Sequence, residues 1–225
     1  MVTLLCSLGN LRYLAAGFLV SEGLNDSRDE IKKMTLDDKR GVIRVEAENT
    51  KEHDGETIFK RIISSGCGRG ASFYSTADIL EQEVDSKIEI LAGDVYNLVH
   101  DFQRCSELYR STHGVHSAAL CDTKNILVFD EDIGRHNAID KVFGKCLLDN
   151  ISTENKILLT SGRITSEMLH KVAKRRISVI ASISAPNDLG INIAETLDIA
   201  LITSVCGNKM NVHTGDWRII SNFKS

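Results

Sequence analysis

The chain has 225 residues, 42% hydrophobic and 26% charged, with a formal net charge of −4. That apolar content can fill a globular core, and an acidic balance without charge blocks excludes a role built on gripping a nucleic-acid backbone. The apolar run in LRYLAAGFLVSEG (11–23) is too short to span a bilayer and leads into acidic residues rather than a cleavage-site pattern, so neither a membrane span nor a secretion signal is expected. The cysteines, Cys6, Cys67, Cys105, Cys121, Cys146 and Cys206, are far apart and form no CxxC pair. A disulfide framework and a zinc ribbon are therefore disfavoured, and free thiols in the cytoplasm are expected.

LGNLRYLAAGFLVSEG (8–23) repeats leucine and aromatic residues at helical spacing and stops at Gly23, which predicts a first helix. GVIRVEAEN (41–49) and ETIFKRII (56–63) alternate apolar and polar residues, and Asp54-Gly55 between them is a hairpin signal. GDVYNLVHDFQRCSELYRS (93–111) is helical again, with Val95, Leu98, Val99, Phe102, Cys105 and Leu108 on one stripe ended by His113-Gly114. Beyond it the predicted strands are VHSAALCD, NILVFDED, KILLTSG, SVIASIS, IALITSVCG and KMNVHTG, interleaved with helices RHNAIDKVFGKCLLDN, TSEMLHKVAKRR and NDLGINIAETLD. Such alternation predicts an α/β layer with a mostly parallel sheet over 111–225, preceded by a smaller α+β part over 1–110.

Open α/β sheets bind ligands beyond the carboxyl ends of their strands, which here carry DEDIGRHN (130–137), TSGRITS (160–166), SISAPND (182–188) and TSVCGNK (203–209). Gly134, Gly162 and Gly207 let backbone approach a ligand, and Arg135, Arg163 and Lys209 supply the charge that a diphosphate needs. Polar, glycine-rich turns also arise without any ligand. Asp132 is placed to cap the helix that begins near Arg135, and a guanidinium at the buried end of that helix requires a carboxylate or a bound anion. His136 and Asp140, four apart, share a helix face, and His116 at a strand start is a ligand, a base or a hydrogen-bonded core residue. No HExxH or GxSxG motif occurs.

In SSGCGRGA (64–71), Cys67 stands between glycines with Arg69 two positions on. A nearby cation and converging backbone N–H groups would favour a thiolate, while the same glycines also suit a turn in which a small residue merely fits. The other five cysteines lie in apolar or regular segments, where buried thiols are expected.

SLGNLRYLAAGFLVSEG, SSGCG, GVHSAAL, EDIGRHNAIDKVFGK, LLTSGRITSEMLHK, ASISAP and LITSVCGNKMNVHTGDWRI, in this order, closely resemble the formate dehydrogenase accessory protein family, the FdhD-type sulfur carriers. The resemblance implies a sulfurtransferase that takes persulfide sulfur from a cysteine desulfurase. It would pass that sulfur to the molybdenum or tungsten bis-pterin guanine dinucleotide cofactor on its way into formate dehydrogenase. It places the persulfide on Cys67 and the cofactor against Ser204, Val205, Cys206, Gly207, Asn208 and Lys209; the strand-end loops add Arg135, His136 and Arg163 as expected contacts. It also implies a cytidine-deaminase-like C-terminal domain, a mixed sheet with helices on both faces, and by analogy a homodimer. The zinc signature of deaminases is missing: Ser117-Ala118 follow His116 and no cysteines follow Pro186, so no zinc is expected.

Many family members read CGxCG at the cysteine loop, whereas this chain has Gly70 in place of the second cysteine. Cys206 stands where a basic residue is common and Ser204 where an aromatic is common, and the chain begins inside the family's first motif. A non-catalytic chaperone that holds the cofactor is the alternative reading.

Overall fold

The computed structural model describes residues 2–48, 60–63, 71–74 and 84–221. The first helix, α1 (Leu11–Ser21), follows Asn10, which takes the left-handed conformation at φ 56°. A two-stranded antiparallel sheet comes next, β1 (Ile31–Asp37) with β2 (Val42–Ala47). Its turn is closed by Gly41 at φ +61° and by the Asp37 carboxylate, which accepts the Arg40 N–H at 3.2 Å. Among the described residues β2 pairs with β1, and the expected pairing with the 56–63 strand is not seen. β1 escapes the sequence pattern because a register irregularity between Ile31 and Lys33 breaks its alternation. The later strand, β3 (Lys60–Ile63), pairs instead with β4 (Ala71–Tyr74), closing on Ile63 opposite Ala71. Asp54-Gly55 and the Cys67 stretch both lie outside the described residues.

After a short β5 (Ile90–Leu91), the long helix expected over 93–111 is two: α2 (Ala92–Cys105) and α3 (Glu107–Thr112). Ser106 makes the break. Its backbone is extended, its hydroxyl oxygen accepts the Tyr109 N–H at 2.8 Å as the cap of α3, and its hydroxyl proton is donated to Glu131.

The remaining elements are β6 (His116–Cys121), β7 (Ile126–Asp132), α4 (Arg135–Leu148), β8 (Ile157–Thr160), α5 (Ser166–Lys174), β9 (Val179–Ser182), α6 (Asp188–Thr196), β10 (Ala200–Cys206), β11 (Lys209–Thr214) and β12 (Ile219–Ile220). Strands 6 to 11 form one six-stranded sheet in the order β11-β10-β9-β8-β6-β7. β8, β9 and β10 are mutually parallel, β6 is antiparallel to both its neighbours, and β11 returns antiparallel along β10. Ala118, Leu120, Leu158, Ile180 and Leu201 pack with the apolar stripes of α4, α5 and α6. Ala119, Ile157, Leu159, Val179 and Ile202 pack with Val95, Leu98, Val99 and Phe102 of α2. The sheet is thus mixed and covered by helices on both faces. Among the described residues no helix is long and apolar enough to cross a membrane.

α1 lies directly on α4, and the contact is made by glycine. A Cβ at Gly17 would stand 1.6 Å from the Asp140 carbonyl oxygen, and one at Gly144 would stand 1.8 Å from that of Tyr13. The two backbones touch, which only hydrogen side chains permit. A buried polar cluster locks the same interface: Ser21 Oγ donates to Asp140 at 2.6 Å, and Lys171 Nζ of α5 donates to both Asp140 oxygens at 2.9 Å, with Glu22 3.6 Å away. Burial opposes the charge on Lys171, but Asp140 and Glu22 outweigh it and hold its pKa above the usual lysine value.

Gly17→Ala and Gly144→Ala should each lower stability by about 2 kcal/mol or more, read from urea unfolding, because neither helix can retreat without opening the other contacts. Lys171→Met should cost about 3–5 kcal/mol in the same assay, since it leaves the Asp140 carboxylate buried without its cation.

Candidate functional site at the strand ends

β7, β8, β9 and β10 point the same way, so their carboxyl ends share one edge of the sheet with the starts of β6 and β11. The four loops singled out in the sequence converge there.

The end of β7 is set by a buried ion pair. Lys141 Nζ lies 2.8 Å from Asp132 Oδ2, with the side chains 1% and 0% exposed. The same carboxylate accepts the Ser7 N–H (3.0 Å), the Gly134 N–H (2.9 Å) and Asn137 Nδ2 (2.9 Å). Asp132 was expected to cap α4. It sits instead as the last residue of β7, while Gly134 is the N-cap and makes no side-chain bond. Asp132 still fixes the start of the helix, through Gly134, Asn137 and Lys141.

That start delivers Arg135 and His136. Arg135 is buried, and a Cβ at Gly162 would lie 2.8 Å from its Cβ, so glycine is what lets the loop after β8 lie on the arginine stem. His136 Nε2 is 3.3 Å from Glu167 Oε2 at the first turn of α5. The helix-face pairing of His136 with Asp140 is thus replaced by a contact between helices, because Asp140 is already occupied by Ser21 and Lys171. The hydrogen bond from His136 holds the Glu167 pKa below the usual value although burial opposes it, with the charge of Arg135 adding to the effect. His116, half-buried at the start of β6, lies with its Nδ1 3.4 Å from Ser161 Oγ. Burial, then Arg135 and then His136, lower its pKa.

The segment 204–209 forms the β10–β11 hairpin. Gly207 and Asn208 are its turn, Gly207 at φ +56°, and Cys206 stands opposite Lys209. Val205 is buried, while Ser204, Cys206, Gly207, Asn208 and Lys209 are exposed, as is Arg163. β10 is two strands from β8, about 10 Å across the sheet. Hydrogen bonds span that gap: Ser182 Oγ donates to Gly162 O (2.8 Å), the Ser184 N–H donates to Ser182 Oγ (3.0 Å), and the Ser204 N–H donates to Ser184 O (3.3 Å). Arg135 and His136 are therefore brought together with His116, while the 204–209 hairpin joins them through the backbone of two loops. Ser161, Glu167, Ser182 and Ser184 escaped the sequence reading as site residues, since serines in turns and a glutamate in a first helical turn are ordinary at such places.

The thiols differ from expectation. Cys121 and Cys146 are buried, and burial pushes them up to about 12 and about 11. Cys6 is only half-buried, and Cys105 and Cys206 are exposed. Cys6 precedes α1 in irregular chain, while Cys105 and Cys206 end a helix and a strand, and regularity places a residue on an element without choosing its face. Burial raises the Cys6 and Cys105 thiols as well. Cys67 lies outside the described residues. Among those that are described, no three His, Cys, Asp or Glu side chains are grouped to hold a metal ion.

The FdhD/NarQ family model matches residues 1–220. A protein of Bacillus pumilus named sulfur carrier protein FdhD is 42% identical over 219 residues, covering 97% of this chain and 84% of its own. One of the same name from Bacillus subtilis is 41% identical with the same coverage, and one from Staphylococcus aureus is 38% identical over 98% of this chain and 83% of its own. A crystal structure described as a formate dehydrogenase accessory protein from Desulfotalea psychrophila superposes with a TM-score of 0.78 at 26% identity, covering 96% of this chain and 82% of that one. Shared sequence and a shared backbone course along nearly the whole chain lead to one conclusion: this chain belongs to the FdhD/NarQ family.

Proposed function

We propose that this chain is a sulfur carrier in which Cys67 receives persulfide sulfur from a cysteine desulfurase. It would deliver that sulfur to a molybdenum or tungsten bis-pterin guanine dinucleotide held at the strand edge and destined for formate dehydrogenase. The observation that carries the proposal is the similarity, along nearly the whole chain, to proteins named sulfur carriers. The state of four of the five other thiols supports it, because burial raises Cys6, Cys105, Cys121 and Cys146 and so disfavours the thiolate that the transfer requires, which leaves the exposed Cys206 as the competing thiol. In the transfer the Cys67 thiolate attacks the outer sulfur of the donor persulfide. A new S–S bond forms to Cys67, the donor S–S bond breaks, and the donor cysteine leaves as a thiolate, with no net oxidation.

The guanine dinucleotide is a substrate here, and the edge suits its diphosphate. Arg135 and His136 stand at the first turn of α4, and Arg163 and Lys209 are exposed on neighbouring segments of the same edge. In this reading the helix-covered sheet is a deaminase-like layer whose strand edge has become a cradle. The protein acts in the cytoplasm as a homodimer. Gly70 removes the second loop thiol, so Cys67 works without that neighbour.

Incubation with labelled cysteine and a desulfurase should place sulfane sulfur on the wild type and on Cys206→Ser, but not on Cys67→Ser. Label retained by Cys67→Ser would overturn the assignment of the persulfide to Cys67, whereas formate dehydrogenase still activated in cells by Cys67→Ala would favour a chaperone without covalent chemistry. Lys209→Ala should weaken binding of guanosine diphosphate by about two- to fivefold, the scale of one exposed charge, and reduce its salt dependence in calorimetric titrations.

A further inference from the structure

His116 is not among the residues assigned above to the substrate, yet its surroundings are the most specific at the strand edge. Ser161 Oγ accepts the Ser117 backbone N–H at 2.9 Å, and the Ser161 N–H in turn donates to Ser117 O at 3.0 Å. The hydroxyl proton of Ser161 and its second lone pair both remain available, and His116 Nδ1 is its neighbour at 3.4 Å. Where the hydroxyl donates, Nδ1 accepts and the neutral ring carries its proton on Nε2. Nε2 has no hydrogen-bond partner among the described residues, and the ring is only half-buried. Arg135 and His136 both disfavour a further positive charge on the ring. The loop that supplies Ser161 is held from both sides, by β6 through Ser117 and by β9 through Ser182 Oγ on Gly162 O.

We propose that His116 is a ligand-contacting residue of this site, a neutral hydrogen-bond donor whose Nε2–H is presented by Ser161 to a phosphoryl oxygen of the diphosphate lying against Arg135. The inference rests on the reading of the strand edge as a cradle for a guanine dinucleotide. A neutral donor adds direction without adding charge beside a buried guanidinium.

The test is calorimetric binding of guanosine diphosphate, pyrophosphate and guanosine to the full chain at pH 6.5 to 8. Its variants are His116→Ala, His116→Gln, which keeps an N–H near the Nε2 position and cannot titrate, and Ser161→Ala. His116→Ala should weaken guanosine diphosphate and pyrophosphate by about tenfold, the scale of one hydrogen bond to a charged oxygen, and leave guanosine unchanged. His116→Gln should restore most of the loss, and nitrogen NMR of the wild-type ring should show the Nε2–H form throughout the pH range and a mixture of tautomers in Ser161→Ala. Equal diphosphate binding by folded His116→Ala and wild type overturns the inference while leaving the cradle intact. A loss confined to guanosine shows that the ring reads the base and overturns it too. Wild type that binds neither guanosine diphosphate nor pyrophosphate overturns the cradle itself.

Discussion

Asp132 and Lys141 are a complete ion pair with almost no contact with water, at the point where the sheet hands over to the helix that carries the site. Burying a carboxylate and an ammonium is tolerable only when the geometry is good and the remaining lone pairs are used. Here they are: Ser7, Gly134 and Asn137 donate to the two carboxylate oxygens, and Lys141 donates in addition to the Glu131 carbonyl. The pair therefore orders the last residue of β7, the N-cap of α4, the second turn of α4 and the segment before α1. Arg135 and His136 inherit their places from it.

A second layer of order comes from close approach. The glycine contact between α1 and α4 brings Ser21 and Glu22 to the Asp140–Lys171 pair, so that α1, α4 and α5 are held by one buried network as well as by apolar packing. α5 then presents Glu167 at its first turn, one helical turn before Lys171, to His136. The electrostatics of the strand edge are thus continuous with the buried charges beneath it. The site rests on the face made by these three helices, with the loops after β8, β9 and β10 beside it.

Much of this was legible in the sequence, because the signals were periodic. The strands and helices from His116 to Thr214 follow the alternation of apolar residues, and the four loops fall at the edge that parallel strands dictate. What escaped notice depended on events without a period. The bulge at Ile31–Lys33 hid β1 and so gave β2 the wrong partner, and one serine, bonded both to its own helix and to Glu131, cut a continuous helical stripe in two. His136 was paired with the wrong carboxylate because helix spacing shows neighbours on one helix and not those on the next. For the cysteines, element type said nothing about exposure, and Cys105 and Cys206 face out.

The packing of Gly162 on Arg135 constrains the two positions unequally. A Cβ at residue 162 would meet the Cβ of residue 135 at 2.8 Å before it met the Arg135 Cδ at 3.1 Å, so any side chain at 135, long or short, demands the glycine. Shortening the arginine would remove the cation from the edge without making room for a larger residue in the loop.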